Sequence, residues 1–377
     1  MPLIISSTNN IELLVQQNIS ISKKDWDAHE TSWDFETSPL LAVDAETYTD
    51  NINHEIERHE KKTGEHLCID PAAPELDSLE WHMEQYKQKW EHLFMQLHAN
   101  EEELNRLFIE IYGLQDELTP DVPLEEITIL QQGEISIEDG RIVWHDDVVI
   151  KQLVSYAIGC IMGRYSLDKP GLILANQGDT LKDFAEIVPN PSFMPDDDGI
   201  LPLMDEQSPF PDNVVRRLQE WVKVAFGNDH QTENLNLIES ALGKSLHDYM
   251  VKDFWKDHKK MYQNRPIYWL FSSKKGTFST LVYMHRMDAY TVGKVRTRYL
   301  LPYIEWLKGR IDALMARQSE LSTLERRQLR DFNKQLEECR EYDIRLHEVA
   351  NKQTTIDLDD GVVVNYAKYG DVLAKLK

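Results

Sequence analysis

Apolar residues recur at steps of three and four along most of this chain, and that spacing is typical of amphipathic α-helices. The longest such pattern covers residues 76–111 and stops before Gly113, a residue type that commonly ends helices. Shorter helical patterns cover residues 148–165, 214–225 and 235–262. The sequence therefore predicts a mainly α-helical protein with long helices.

Two more helical patterns lie close together near the end of the chain, in residues 300–314 and 321–336. Ser322 and Glu325 have the spacing of a capping box, in which the two side chains close the first turn of a helix. The near-heptad spacing of the apolar residues and the short break between the patterns predict a C-terminal helical hairpin, or a short antiparallel coiled coil.

Strand patterns interrupt the helices, each with a glycine-containing turn at its centre or start. They are residues 134–144 around Asp139-Gly140, residues 266–285 around Lys274-Lys275-Gly276, and residues 360–364, where a turn at Asp360-Gly361 is followed by a short strand. The predicted fold class is thus mainly α, with long helices, a C-terminal helical hairpin and two or three small β-hairpins.

The hairpin in residues 266–285 is apolar on both faces. Alternation along a strand places Ile267, Trp269 and Phe271 on one face, and Tyr268 and Leu270 on the other. We therefore expect other elements to cover both faces. The turn Lys274-Lys275-Gly276 has no apolar side chain, so we expect it alone to protrude into solvent.

The remaining segments have weaker periodicity. Residues 21–41 predict an irregular segment whose aromatic residues Trp26, Trp33 and Phe35 pack on a neighbouring element, with base stacking as the alternative. Residues 44–74 are polar and acidic, which indicates a surface excursion or partial disorder.

Proline and acidic residues suggest how the chain is organised into domains. Residues 179–211 contain six prolines and the acidic run Asp196-Asp197-Asp198, so they predict a linker between a helical region in residues 1–178 and a helical domain with the basic hairpin in residues 212–377. The acidic run could bind Mg²⁺, but a solvated loop is the better interpretation.

Charge is distributed unevenly along the 377 residues. The whole chain has a net charge of −24, which argues against a protein that coats DNA by bulk charge. Residues 256–310 nevertheless contain twelve lysines and arginines against three acidic residues. These cations could position DNA phosphates, or several of them could pair with acidic helices of the same chain. The candidate DNA contacts are Lys259, Lys260, Arg265, Lys274, Lys275, Arg286, Lys294, Arg296 and Arg298.

Several classes of enzyme site have no motif in this sequence. It contains no glycine-rich phosphate loop, no G-x-G-x-x-G, no HExxH, no CxxC and no G-x-S-x-G. His258 and His285 could act as general bases, but single histidines near aromatic residues are more often structural. We therefore assign no catalytic, cofactor-binding or metal-binding residue.

The compartment is inferred from cysteines and hydropathy. The three cysteines are far apart and suit neither a disulfide framework nor a zinc site. No apolar run is long enough to cross a membrane, and the first residues lack the pattern of a signal peptide. We expect a cytoplasmic protein without membrane contact.

Five long stretches resemble, in the same order, the C-terminal part of the PglX-type adenine-specific DNA methyltransferases of BREX phage-defence systems. They are residues 22–35, 107–129, 152–176, 265–286 and 356–369. The resemblance runs nearly from end to end of the chain. It implies a protein that takes part in N6-methylation of adenine in DNA, with S-adenosylmethionine as the cofactor of the full-length enzyme.

The sequence departs from that family in an informative way. Neither the family's S-adenosylmethionine motif nor its Asn-Pro-Pro-Tyr adenine motif is present, and Pro189-Asn190-Pro191 is not a substitute. The resemblance therefore implies a C-terminal piece without catalytic residues, which would arise as a cloned fragment, from a split gene or from a truncated reading frame.

Three hypotheses about function remain open. In the first, the chain helps a methyltransferase hold DNA, and its N-terminal helical region braces the catalytic part. In the second, acidic helical faces around residues 84–110 and the helical hairpin form a scaffold for other defence-system subunits. The third, an acidic mimic of DNA, fits the net charge but not the clustered cations.

Overall fold

The structure is a computed structural model that describes residues 8–42, 78–204 and 207–376. The polar segment predicted at residues 44–74 lies outside the described residues. Within the described ranges, no helix combines the length and the apolar character needed to cross a membrane.

The described chain packs into two compact units. The N-terminal unit ends at Leu153 and also includes Ala225–Ala241, whereas the C-terminal unit consists of Val154–Val224 and the chain from Leu242 onward. This division does not follow the boundaries that we drew from the sequence at residues 178 and 211. The segment expected to be a linker packs inside the C-terminal unit instead.

Helices dominate both units, so the mainly α fold class is confirmed. In chain order the α-helices of the described residues are α1 (Thr8–Asp27), α2 (Leu79–Tyr112), α3 (Asp146–Met162), α4 (Leu181–Ile187), α5 (Val214–Ala225), α6 (Gln231–Leu242), α7 (Leu246–Tyr249), α8 (Trp255–Met261), α9 (Thr291–Lys294), α10 (Leu301–Met315), α11 (Thr323–Asn351) and α12 (Val362–Ala367). The π-helical turns Met250–Phe254 and Val295–Leu300 join α7 to α8 and α9 to α10.

In the N-terminal unit, α1 packs against the long helix α2. The apolar stripe of α2 is buried, and the helix ends where Gly113 adopts a left-handed φ of 65°. The prediction of a long helix that stops at Gly113 is therefore confirmed.

A small hairpin follows α2 in the chain. Strands β1 (Ile135–Glu138) and β2 (Arg141–Trp144) pair antiparallel, with Glu138 opposite Arg141. Asp139 and Gly140 between them both have positive φ, 50° and 70°, as a two-residue turn requires. The hairpin predicted around Asp139-Gly140 is confirmed.

The C-terminal unit contains a three-stranded antiparallel sheet in the order β3 (Ile200–Pro202), β5 (Ser279–Tyr283), β4 (Tyr268–Ser272). The central strand β5 is buried along its whole length. The sequence predicted the β4–β5 hairpin but not β3, because three apolar residues ending in a proline show no alternation. Pro202 is tolerated there because β3 is an edge strand.

Two helices of the C-terminal unit form the predicted helical hairpin. α10 and α11 pack along each other, and Ser322 and Glu325 close the first turn of α11 as a capping box. The serine Oγ accepts the Glu325 N–H, while the glutamate accepts the Ser322 N–H at 2.9 Å. Both predictions are confirmed.

Two local predictions were wrong. Residues 362–364 belong to helix α12 rather than to a strand, although their valines favour a strand. The segment predicted to be irregular from residue 21 is helical as far as Asp27, where α1 ends. Of its three aromatic residues, Phe35 is buried, whereas Trp26 is 63% exposed and Trp33 is 95% exposed.

Candidate nucleic-acid interface

The β4–β5 hairpin has the burial that the sequence predicts. Tyr268, Trp269 and Phe271 are 1% exposed or less, although they point to opposite faces of β4. On one face the Trp269 ring lies 5.1 Å from the Tyr366 ring, and on the other the Tyr268 ring stacks 4.6 Å from the His258 ring. Both faces are therefore covered, and the hairpin presents only its turn to solvent.

That turn is attached to helix α11 by one carboxylate. Glu338, a buried residue of α11, accepts hydrogen bonds from Ser273 Oγ, the backbone N–H of Lys275 and Thr277 Oγ1, each at 2.6 Å. Burial alone would raise the pKa of Glu338, but the hydrogen bonds outweigh it and lower the pKa. The turn is thus held in one conformation by an ionised side chain, while the side chains of Lys274 and Lys275 stay exposed.

The structure separates the nine candidate cations into three groups. Lys260, Arg265, Lys274 and Lys275 are exposed, and their side chains form no hydrogen bond or ion pair with a described residue. Lys260 and Arg265 lie near the start of β4, and the two lysines lie at its far end. Five strand residues separate the two pairs by roughly 15 Å. We call these residues the four exposed cations.

Three other candidates pair with carboxylates of the C-terminal unit. Lys294 Nζ lies 2.9 Å from an Asp288 oxygen. Arg296 donates to both oxygens of Asp343, at 2.6 and 3.2 Å. Arg298 Nη1 lies 2.7 Å from Asp198. These contacts support the alternative that we left open, namely that several cations neutralise acids of the same chain.

The last two candidates bind backbone carbonyls. Lys259 donates to the Leu376 carbonyl at 2.9 Å and lies over the Trp255 ring. Arg286 donates to the carbonyls of Asp196 and Asp197 at 2.8 and 2.9 Å. Both cations therefore have structural contacts that a DNA phosphate would have to replace.

The acidic run that includes Asp196 is a folded turn rather than a solvated loop. Asp196 is 4% exposed, and its Oδ1 accepts the backbone N–H groups of Asp198, Gly199 and Ile200. Asp198 in turn accepts from the Tyr299 hydroxyl at 3.1 Å. These carboxylates lie close together and are engaged in fixing the chain just before β3.

Of the two histidines that we considered as general bases, His258 is buried and His285 is half-buried. Burial, together with the positive charge of Arg164, lowers the pKa of His258 to about 3 and that of His285 to about 4. Both are neutral at physiological pH. His258 accepts the N–H groups of Ile267 and Tyr268, which fixes the start of β4.

The most informative residue that sequence reasoning missed is Glu338. It lies more than 60 residues from the turn that it holds, and its neighbours in the helix include other acids. The only signal available in the sequence was its place on the apolar side of α11, between Leu336 and Cys339.

No family model matches the chain. Two curated proteins are similar to it over nearly its whole length. One is the adenine-specific methyltransferase BrxX of Escherichia coli O9:H4 (strain HS), which is 35% identical over 99% of this chain and 30% of its own length. The other is the adenine-specific methyltransferase PglX of Lacticaseibacillus casei (strain Zhang), 35% identical over 98% of this chain and 28% of its own length.

This chain thus spans less than a third of the length of the curated relatives that it matches. The match covers 98–99% of the chain and fits the C-terminal part of a PglX-type protein. By sequence, the chain belongs to the family of PglX-type adenine-specific methyltransferases, as a homologue of one part of these proteins.

Proposed function

We propose that this chain is the C-terminal, non-catalytic module of a site-specific adenine-N6 DNA methyltransferase of a BREX-type phage-defence system. In that role it helps to hold DNA and docks the catalytic part, which would bind S-adenosylmethionine. Its partners are then DNA and the methylase region, and it works in the cytoplasm. The similarity to BrxX and PglX supports the reaction class.

The four exposed cations support the role in holding DNA. Lys260, Arg265, Lys274 and Lys275 have no carboxylate partner among the described residues, in a chain whose acids outnumber its lysines and arginines. Exposed, unpaired cations attract DNA phosphates and release condensed counterions when they bind. Phosphate contacts position a protein on DNA without reading its sequence, so this module would strengthen binding to any site.

The geometry of the turn also favours a role in binding. Glu338 fixes the backbone at Lys275, so presenting the two lysines costs little backbone entropy. A flexible loop with the same charges would lose more entropy on binding. The buried aromatic residues of β4 cannot stack on bases, so phosphate contact is the interaction that this surface offers.

The test compares two quadruple variants of the 377-residue chain. In the first, the four exposed cations become Glu. In the second, the exposed residues Lys169, Lys182, Lys223 and Arg330 become Glu, which changes the net charge equally at other positions. Binding to duplex DNA is measured by fluorescence anisotropy at several salt concentrations, and again with the same substitutions in a full-length methyltransferase that contains this segment.

Four phosphate contacts predict a slope of about −3.6 for log affinity against log salt. In the full-length enzyme, the slope of log affinity against log salt should be shallower by about 3.6 in the first variant than in the unsubstituted protein. In the second variant the slope should not change. Equal losses in the two variants would mean that net charge, rather than this surface, governs binding. The DNA-holding role would then be rejected.

A second candidate function, a scaffold for protein subunits, is favoured by the exposed side of α1. Val15, Ile19 and Trp26 are spaced four and seven residues apart and so share one helix face, and all are exposed. Trp33, just beyond the helix, is 95% exposed. Exposed aromatic residues of this kind are common at protein interfaces.

The scaffold function is tested by affinity capture from DNase-treated extract of cells that carry the defence system. Trp26→Ala with Trp33→Ala should abolish capture of a methylase region or another subunit, and Tyr112→Ala, at a separate exposed position, should not. Capture that is unaffected by the tryptophan changes would rule out this face as the docking surface.

A further inference from the structure

Arg164, which follows α3, is a partly buried cation that forms no ion pair with a described residue. Its Nε donates to the Tyr165 hydroxyl and its Nη1 to the Tyr283 hydroxyl, both at 3.1 Å. Burial raises the pKa of Tyr283, so this phenol is neutral at physiological pH. A buried cation without a counter-charge is costly, and two neutral phenols do not supply one.

The charged groups nearby are engaged elsewhere. Asp179 acts on Tyr283 through its charge, but its Oδ2 accepts the Asn176 N–H at 2.7 Å instead of pairing with Arg164. Arg286 also acts on Tyr283, and it is a second positive group. Arg286 has the carboxylates of Asp196, Asp197 and Asp198 close by, whereas Arg164 forms no ion pair with a described residue.

His258 adds a hydrogen-bond donor without an acceptor. Its Nε2 accepts the backbone N–H groups of Ile267 and Tyr268, at 3.1 and 3.2 Å. A nitrogen that accepts hydrogen bonds is unprotonated, so the proton of the neutral ring lies on Nδ1. His258 is 2% exposed, and its buried Nδ1 has no hydrogen-bond partner among the described residues.

His285 completes the same environment. Its Nδ1 is also buried and finds no hydrogen-bond partner within the described chain. Its ring packs against Tyr283, with the ring centroids 5.0 Å apart. The His258 ring lies 4.6 Å from the Tyr268 ring, which in turn lies 5.4 Å from the Tyr283 ring, whose hydroxyl accepts from Arg164. Each imidazole has a buried nitrogen left over.

We propose that Arg164 and the Nδ1–H group of His258 form a binding site for an oxyanion of the phosphate class. A planar guanidinium that already holds two phenols still offers N–H groups in the geometry that matches phosphate oxygens. The anion would supply the missing negative charge and accept the unused donors. None of the four exposed cations contributes to this site.

The ligand is either free inorganic phosphate or a phosphodiester of a nucleic acid, and the experiment separates the two. Thermal unfolding of the full chain is followed with increasing sodium phosphate, against sodium chloride at equal ionic strength. A single-stranded oligonucleotide and a duplex are titrated in parallel. Inorganic phosphate at several times its dissociation constant should raise the melting temperature of the C-terminal unit by about 2–4 °C, and the rise should saturate.

Arg164→Gln should remove the rise, while the Glu variant of the four exposed cations should keep it. A rise that persists in Arg164→Gln, or a linear rise without saturation, overturns the proposal. If oligonucleotides give the larger shift, the natural ligand is a phosphodiester; if only inorganic phosphate does, it is the free anion.

Arg164→Gln could fail to fold, so a second measurement uses the unsubstituted chain. With ¹⁵N-labelled histidine, phosphate should shift the Nδ1 resonance of His258, since the Nδ1–H would gain an acceptor. A spectrum that does not change up to a phosphate concentration at which the melting temperature rises would place the anion elsewhere and overturn the site.

Discussion

Replacing Glu338 by alanine should detach the hairpin turn from α11 without disturbing the sheet. The carboxylate accepts three hydrogen bonds, from Ser273 Oγ, the Lys275 N–H and Thr277 Oγ1. A hydrogen bond to a charged group contributes about 1.5–3 kcal/mol, but the bonds from Lys275 and Thr277 are only partly buried, so water can replace part of them. We therefore expect a loss of about 2–4 kcal/mol in the free energy of unfolding of the C-terminal unit.

That loss should lower the melting temperature of the C-terminal unit by roughly 5–12 °C, given the usual sensitivity of a domain of this size. Glu337→Ala is the matched control, because this neighbour on α11 is exposed. The control should change stability by less than about 0.5 kcal/mol, as most surface substitutions do.

Hydrogen exchange distinguishes a local loosening from general destabilisation. In Glu338→Ala the amide of Lys275 should exchange much faster, because it loses its acceptor, while the amide of Leu281 in the central strand stays protected. An unchanged exchange rate at Lys275, or equal melting of the Glu338 and Glu337 variants, would refute the role of Glu338.

Three further predictions follow from the same structure. Trp269→Ala removes a fully buried side chain and should lower the free energy of unfolding by about 3–5 kcal/mol. Lys274→Glu with Lys275→Glu should lower it by less than about 0.5 kcal/mol. Melting curves compare the two variants, and a larger loss in the double lysine variant would contradict the burial of Trp269. The chain alone should give no saturable heat with S-adenosylmethionine in isothermal titration, and micromolar binding would contradict this. His258 and His285 have folded pKa values of about 3 and about 4, below the ordinary 6.5, so the unfolded state binds more protons between those values and 6.5. Stability should therefore fall as the pH drops below about 6.5, by up to about 1.4 kcal/mol per pH unit for each group; denaturation midpoints that stay constant from about pH 7 to pH 5 would contradict this.

Local rules predicted the elements whose signals are local. The end of α2 at Gly113 and the capping box of Ser322 and Glu325 depend on residues that are neighbours in sequence. Strand β3 was missed because it exists only by pairing with β5, about eighty residues later. A strand stabilised by a distant partner leaves no periodic pattern of its own when it is three residues long.

The candidate cations show a similar limit. The sequence showed that lysines and arginines cluster, but not which of them are neutralised. Arg296 pairs with Asp343, 47 residues away, and Arg298 pairs with Asp198, 100 residues away. A count over a window of sequence cannot include such partners. It overstated the available positive surface, which consists of the four exposed cations rather than all nine candidates.

Only four of the nine candidate cations lack a side-chain partner among the described residues, and this bears on how the module would act. With a net charge of −24, the chain as a whole repels DNA, and that repulsion weakens beyond a Debye length of about 10 Å at 0.1 M salt. Four cations cannot recruit DNA from a distance against it. They can bind phosphates once another part of the protein holds the duplex next to them, because tethering makes the second contact effectively intramolecular. The module would therefore slow the dissociation of DNA from the full-length enzyme more than it speeds association. Substituting the four exposed cations should then change mainly the rate at which DNA dissociates, and change the association rate less.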